Sequence, residues 1–140
     1  MLTVERVARL RHVELFSATP DKVLAGVAAV LDEVTFRTGD VLIAQGAVED
    51  WLFVIIDGEV TVSRPDRTVG LGPGSVVGEL AVLDPQPRNA TVTAATPVRA
   101  FRLRKPAFDE AVQTRPEIAM GVITELVRRL RQTHEPPVST

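Results

Sequence analysis

Glu79 and Arg88 lie nine positions apart in a stretch dominated by glycine, proline and small apolar residues. An arginine guanidinium offers five N–H donors in a planar fork that fits a carboxylate or a phosphate. An ionised carboxylate can only accept, so Glu79 suits a hydroxyl or another donor. Residues 72–94 read Gly-Pro-Gly-Ser-Val-Val-Gly-Glu-Leu-Ala-Val-Leu-Asp-Pro-Gln-Pro-Arg-Asn-Ala-Thr-Val-Thr-Ala, with Gly72, Gly74 and Gly78 and Pro73, Pro85 and Pro87 inside the first sixteen. Glycine admits positive φ and proline fixes φ, so this is a shaped loop. Gly78–Leu83 is long enough for one or two helical turns. The first amides of such a helix lack intrahelical partners and carry its positive end, a setting for an anion.

Arg88–Ala94 reads as a strand. Asn89, Thr91 and Thr93 share one face; Ala90, Val92 and Ala94 share the other, and Arg88 has the parity of the apolar face. A guanidinium that starts an inward row needs a partner, because burying it unpaired is very costly. A carboxylate, Glu79 or Asp84, would serve. A bound phosphate would serve equally well, and the pattern alone leaves both open.

Gly78-Glu79-Leu80-Ala81, then Pro87-Arg88, then Ala90-Thr91-Val92, resembles the phosphate-binding cassette of the cyclic nucleotide-binding domains. Residue types and spacing agree over fifteen positions, and the resemblance spans residues 12 to 130 or so. It implies a mainly β fold: an eight-stranded, jelly-roll-like β-roll with two N-terminal and two C-terminal helices. It implies a 3′,5′-cyclic nucleotide as ligand, with the phosphate on Arg88 and on the backbone amides of Ala81 and Asn89. Gly78, Leu80 and Ala90 complete the cassette. Glu79 would repel the phosphate, so its contact must be a donor, and the ribose 2′-hydroxyl is the one available; dinucleotide-binding folds use an acidic residue in this way. Val62 and Leu71 are the candidates for the base pocket, with the final helix as a lid. Asn89 departs from the family, where alanine is common and threonine occurs in many cyclic GMP-selective members. Cyclic AMP is favoured over cyclic GMP.

The elements that must position these residues follow from periodicity and punctuation. Val4, Val7, Ala8 and Leu10 give a helical stripe with Thr3 as N-cap. A break at Glu14–Ser17 precedes a second helix, capped by Thr19, opened by Pro20 and running to about Leu31. From Val34 the period becomes two. Strands are expected at Val34–Arg37, Val41–Ala44, Leu52–Ile56, Glu59–Ser63, Thr68–Leu71, 89–95 and 98–104. Asp57-Gly58 signals a tight hairpin between the third and fourth. Pro106 and Pro116 open two helices; Phe108, Ala111 and Val112 stripe the first, and Ile118, Val122, Ile123, Leu126, Val127 and Leu130 the second. The domain is expected over 1–134, with the roll at about 33–104, the C-terminal helices at about 105–132, and a disordered tail at 135–140.

Composition limits the rest. The 140 residues fit one domain, and there is no cysteine, hence no disulfide framework and no thiolate metal site. A net charge of −2 leaves no basic footprint for nucleic acid. The longest apolar run, Val23–Leu31, is nine residues, far short of a membrane span. No secretory pattern opens the chain, so a cytoplasmic location, or the cytoplasmic portion of a larger membrane protein, is expected. A cupin-type enzyme needs a His/Glu metal cluster, yet the two histidines, His12 and His134, lie outside the strands; no catalytic residue, metal site or cofactor is expected. No DNA-reading module is expected in the few residues after the last helix. The family's usual role implies a sensor coupled to an effector, with homodimerisation through the final helix as one arrangement. The alternative is a degenerate roll acting as a protein-interaction module, and the presence of both Glu79 and Arg88 argues against it.

Overall fold

The computed structural model describes residues 2–17 and 19–134. Helix α1 (Thr3–Arg11), a 3-10 turn (Glu14–Phe16) and α2 (Asp21–Ala29) lead into the strands. These are β1 (Asp32–Phe36), β2 (Val41–Ile43), β3 (Trp51–Asp57), β4 (Val60–Ser63), β5 (Thr68–Leu71) and β6 (Val76–Val77). The short helix α3 (Leu80–Leu83) follows, then β7 (Thr91–Ala94), β8 (Val98–Arg104), α4 (Lys105–Thr114) and α5 (Glu117–His134). The strands form two antiparallel four-stranded sheets, ordered β1-β8-β3-β6 and β2-β7-β4-β5. This is the mainly β roll with flanking helices that the cassette implied.

Strand β3 explains the layering. Its period of two sends Leu52, Val54 and Ile56 to one face and Phe53 and Ile55 to the other, and all five are buried. The first set joins Phe101 and Leu103 of β8 and Leu10, Leu24, Phe108, Ile118 and Val122 of the helices. The second set joins Ile43, Val60, Val92, Val98 and Ala100 between the two sheets. A strand covered on both sides reads as an unbroken apolar run, which is how it reads here.

The hairpin expected at Asp57-Gly58 does not form. β3 and β4 belong to different sheets, and Gly58 is the corner between them. Its φ is +92°, and a Cβ there would collide with the Pro97 carbonyl oxygen. The Glu59 amide donates to Thr96 Oγ1 at 2.9 Å and its carbonyl accepts from the Ala95 amide at 2.9 Å, so the corner is held by the β7–β8 connection. An Asp-Gly pair specifies a sharp local turn; which sheet receives the chain afterwards depends on partners far away. A hairpin forms instead one strand later, where the turn at Pro65-Asp66 pairs Ser63 with Thr68.

The caps also differ. Leu2 occupies the N-cap position of α1, with Thr3 as first helical residue. Thr19 does not cap α2: Pro20 stands there in extended conformation, its carbonyl accepting from the Val23 and Leu24 amides at 3.0 Å each. The Thr19 hydroxyl is buried with no partner among the described residues. The helix stops at Ala29, where Arg6 of α1 donates through Nη1 to the carbonyls of Ala28 and Leu31, both at 2.9 Å, satisfying its open end. The tail expected at 135–140 lies outside the described residues.

Candidate functional site

A cavity of about 990 Å³ opens between the 72–90 segment, the concave face of the second sheet and α5. All nine candidate residues line it: Gly78, Glu79, Leu80, Ala81, Arg88, Asn89 and Ala90 from the cassette, Val62 from β4 and Leu71 from β5.

Arg88 is built in from both sides. Its backbone is gripped by the β2–β3 loop: its amide donates to the Ala47 carbonyl and its carbonyl accepts from the Gly46 amide, both at 2.8 Å. Pro87 bridges Val48 just before it. The residue is only 7% exposed. Its Nε donates to Glu49 Oε1 at 3.2 Å, Nη1 to the Gly78 carbonyl at 3.2 Å, and Nη2 to the Trp51 carbonyl at 2.6 Å. The carboxylate that neutralises it is therefore Glu49, and neither Glu79 nor Asp84. Glu49 is 39 positions upstream, and nothing local in the sequence points to it. Three bonds engage three of the five N–H donors. One on each terminal nitrogen remains without a partner among the described residues.

Gly78 is where the turn and the arginine meet. Its φ is +77°, and a Cβ there would sit 2.6 Å from Arg88 Nη1 and 2.9 Å from Ile43 Cδ1. Only glycine lets the chain pass that close while keeping the fork in place. Glu79 follows, half-buried, at the N-cap position of α3 with φ −60° and ψ −29°. The helix is a single turn of four residues, and the Ala81 amide already donates to the Gly78 carbonyl at 3.1 Å. A macrodipole sums over aligned peptides, so one turn contributes little. Positive charge at this wall comes chiefly from Arg88.

Other lining residues escaped the sequence reading. Ile43 and Val92 add to the apolar floor from β2 and β7, and Arg64 and Arg128 add charge. His12, at the end of α1, reaches the rim beside Pro73 and Gly74. Alternation put Val92 on the apolar face of its strand and gave Ile43 a strand without a face, and neither pattern says which residues border open space. Arg128 comes from α5, where a basic residue in the last turns reads as ordinary dipole complement. Among the described residues, no group of three His, Cys, Asp or Glu side chains is placed to hold a metal, and no helix is long and apolar enough to cross a membrane.

Residues 33–115 match the family described as the cyclic nucleotide-binding domain. The chain is 34% identical over 131 residues to a CRP-like cAMP-activated global transcriptional regulator of Mycobacterium tuberculosis, covering 89% of this chain and 58% of the relative. It is 37% identical over 133 residues to a cyclic nucleotide-gated potassium channel of Rhizobium etli, covering 90% of this chain and 38% of the channel. The N-terminal domain of a transcriptional regulator from Streptomyces coelicolor superposes with a TM-score of 0.78 at 37% identity, covering 89% of this chain and 94% of that one. The chain thus spans little more than half the length of the first relative and well under half of the second. With more than half of its length matched by the family and a fold that superposes on such a domain, this chain belongs to the cyclic nucleotide-binding domain family.

Proposed function

We propose that this domain is a regulatory, non-catalytic module that binds a 3′,5′-cyclic nucleotide and passes the event on through its flanking helices. One observation carries the reading: Arg88 is almost fully buried and braced on three sides, yet borders a large cavity with a donor to spare on each terminal nitrogen. A fork fixed in this way fits the two free oxygens of a cyclic phosphodiester. Glu79 takes the ribose 2′-hydroxyl, the amides of Ala81 and Asn89 approach the phosphate, and Gly78, Leu80 and Ala90 shape the turn. The base lies over Val62 and Leu71. Cyclic AMP is the preferred ligand, a choice supported by the cAMP-activated regulator among the relatives.

The rival reading gives Arg88 a purely architectural role, and the Glu49 pair favours it, since the charge is already neutralised in part. Calorimetric titration with cyclic AMP and cyclic GMP separates the two. Arg88→Ala should weaken binding by about 2–5 kcal/mol, the range for removing one partner of a buried charge pair. Arg88→Lys keeps the charge and loses the fork, so it should also bind weakly while unfolding near the wild-type temperature. A folded Arg88→Lys protein with wild-type affinity would leave Arg88 to the fold alone.

The module works as the sensor of a larger assembly in the cytoplasm, joined to an effector, as its partial coverage of both relatives supports. Helix α5 offers a route for output. Ile118 and Val122 are buried, whereas Met120, Ile123, Val127 and Leu130 form an exposed stripe at spacings of three, four and three residues. Such a seam fits the same helix of a second copy.

A further inference from the structure

His12 closes α1 as its C-cap, its amide donating to the Arg9 carbonyl at 3.2 Å. Leu10 and Val13 beside it are buried in the core, so the backbone is anchored while His12 itself stays exposed. The residue borders two hollows at once: the large cavity and a pocket of about 170 Å³ against β3, with Pro73 and Gly74 common to both. That shared wall is pinned to β3. The Gly74 amide donates to the Ile55 carbonyl at 2.8 Å, and the Ile55 amide to the Ser75 carbonyl at 2.9 Å. A Cβ on Gly74 would lie 3.7 Å from the His12 carbonyl oxygen, so the end of α1 rests against this loop. Core residues on one side and a strand-bound loop on the other hold His12 at the cavity rim.

Among the described residues, the ionisable side chains lining the cavity are Arg64, Arg88, Arg128, Glu79, Asp84 and His12. From pH 8 to pH 6 an arginine keeps its charge and so does an ordinary carboxylate, whereas an imidazole takes up a proton. A cyclic phosphodiester carries one negative charge throughout that interval. His12 is therefore the group at this cavity whose charge varies. We propose that His12 makes nucleotide affinity depend on pH: its imidazolium adds positive charge to the rim in mild acid, and the cavity then holds the anion more tightly. This rests on the cyclic nucleotide reading above. The charges nearest in the chain are already engaged. Arg11 pairs with Asp21 at 2.8 Å, and Arg9 pairs with Asp57, at the end of β3, at 3.6 Å. Glu14 follows two positions on, and neither residues 54–56 of β3 nor the 73–75 loop carries a charge. Binding and protonation promote each other, so affinity rises as pH falls and the gain is lost once the imidazole is neutral.

The test is the dissociation constant of cyclic AMP at pH 8 divided by that at pH 6. It is measured by calorimetry on the whole chain, at one ionic strength and in phosphate-free buffer. The wild-type ratio should be about 2 to 10, the effect of one unit charge acting across several ångströms near a screened surface. His12→Gln should bring the ratio to about 1. His12→Lys, a cation throughout this range, should also give about 1, with the wild-type pH 6 affinity at both values. His134→Gln removes the other histidine of the chain and should keep the wild-type ratio. Thermal unfolding at both pH values restricts the comparison to folded protein. The proposal is overturned by a wild-type ratio of 1, by a ratio that persists in His12→Gln, or by one that disappears in His134→Gln. A wild-type protein that binds no cyclic nucleotide at either pH overturns the underlying reading together with this one.

Discussion

At the scale of the residue, the site is a contest for one guanidinium. Glu49 already sits 3.2 Å from Arg88 Nε, with a side chain 24% exposed against 5% for the arginine. An incoming phosphate must share the cation with it. Glu49→Gln keeps an acceptor at that place and removes the competing charge. Coulomb attraction at this range near a protein surface favours tighter anion binding, by on the order of 1 kcal/mol after screening. Weaker binding in calorimetry would show instead that Glu49 matters mainly as a brace. Glu79 answers a different question. Glu79→Ala should weaken cyclic AMP binding by about 1.5–3 kcal/mol, as for a hydrogen bond to a charged group. It should also abolish discrimination against the 2′-deoxy analogue, because an acceptor left unpaired is what penalises the missing hydroxyl. If the wild type binds both analogues equally, Glu79 belongs only to the turn. Arg88 and Glu79 were legible because their spacing to Gly78, Pro87 and Ala90 is short-range. The Glu49 contact was not, since it depends on how a loop 39 positions away folds over Pro87.

At the scale of the element, Gly58 is the most exacting position. It combines φ +92° with a Cβ position blocked by the Pro97 carbonyl. Gly58→Ala strains the backbone and forces apart the corner where the chain leaves one sheet for the other. A loss of about 1–3 kcal/mol follows, in line with the cost of an unfavourable backbone conformation. Urea unfolding measures it; a variant as stable as wild type would mean that the β7–β8 connection yields freely. The same corner shows what a local pattern can carry. Asp57-Gly58 announced a reversal, and a reversal is there, but β4 pairs with β5 and β7 rather than with β3. At Pro65-Asp66 the two flanking strands do pair, because they lie only a few residues apart, where turn geometry and pairing are one decision. Strand β3 was legible for a related reason: burial on both faces leaves a continuous apolar signature that needs no knowledge of its neighbours.

At the scale of the whole molecule, α5 belongs to two environments. One side packs on the 3-10 turn at Glu14–Phe16 and on α4, and the other exposes Met120, Ile123, Val127 and Leu130. The sequence showed that α5 was rich in apolar residues, but not which of them the roll would leave uncovered. If that stripe pairs two copies, sedimentation should give a dimer, and Ile123→Asp with Val127→Asp should give a folded monomer. If α5 also carries the output, saturating cyclic AMP should change amide exchange across residues 105–131, and unchanged exchange there would count against movement of these helices. One feature of the site makes such experiments simpler. The carbonyl that receives Arg88 Nη2 belongs to Trp51, the single tryptophan of a chain without tyrosine. Its indole lies 5.5 Å from the Arg102 guanidinium, and its ring nitrogen is buried without a partner among the described residues. The protein therefore carries its own optical probe one peptide group from the arginine. A shift in intrinsic emission on adding ligand would report the site directly, without a dye, a label or an engineered residue.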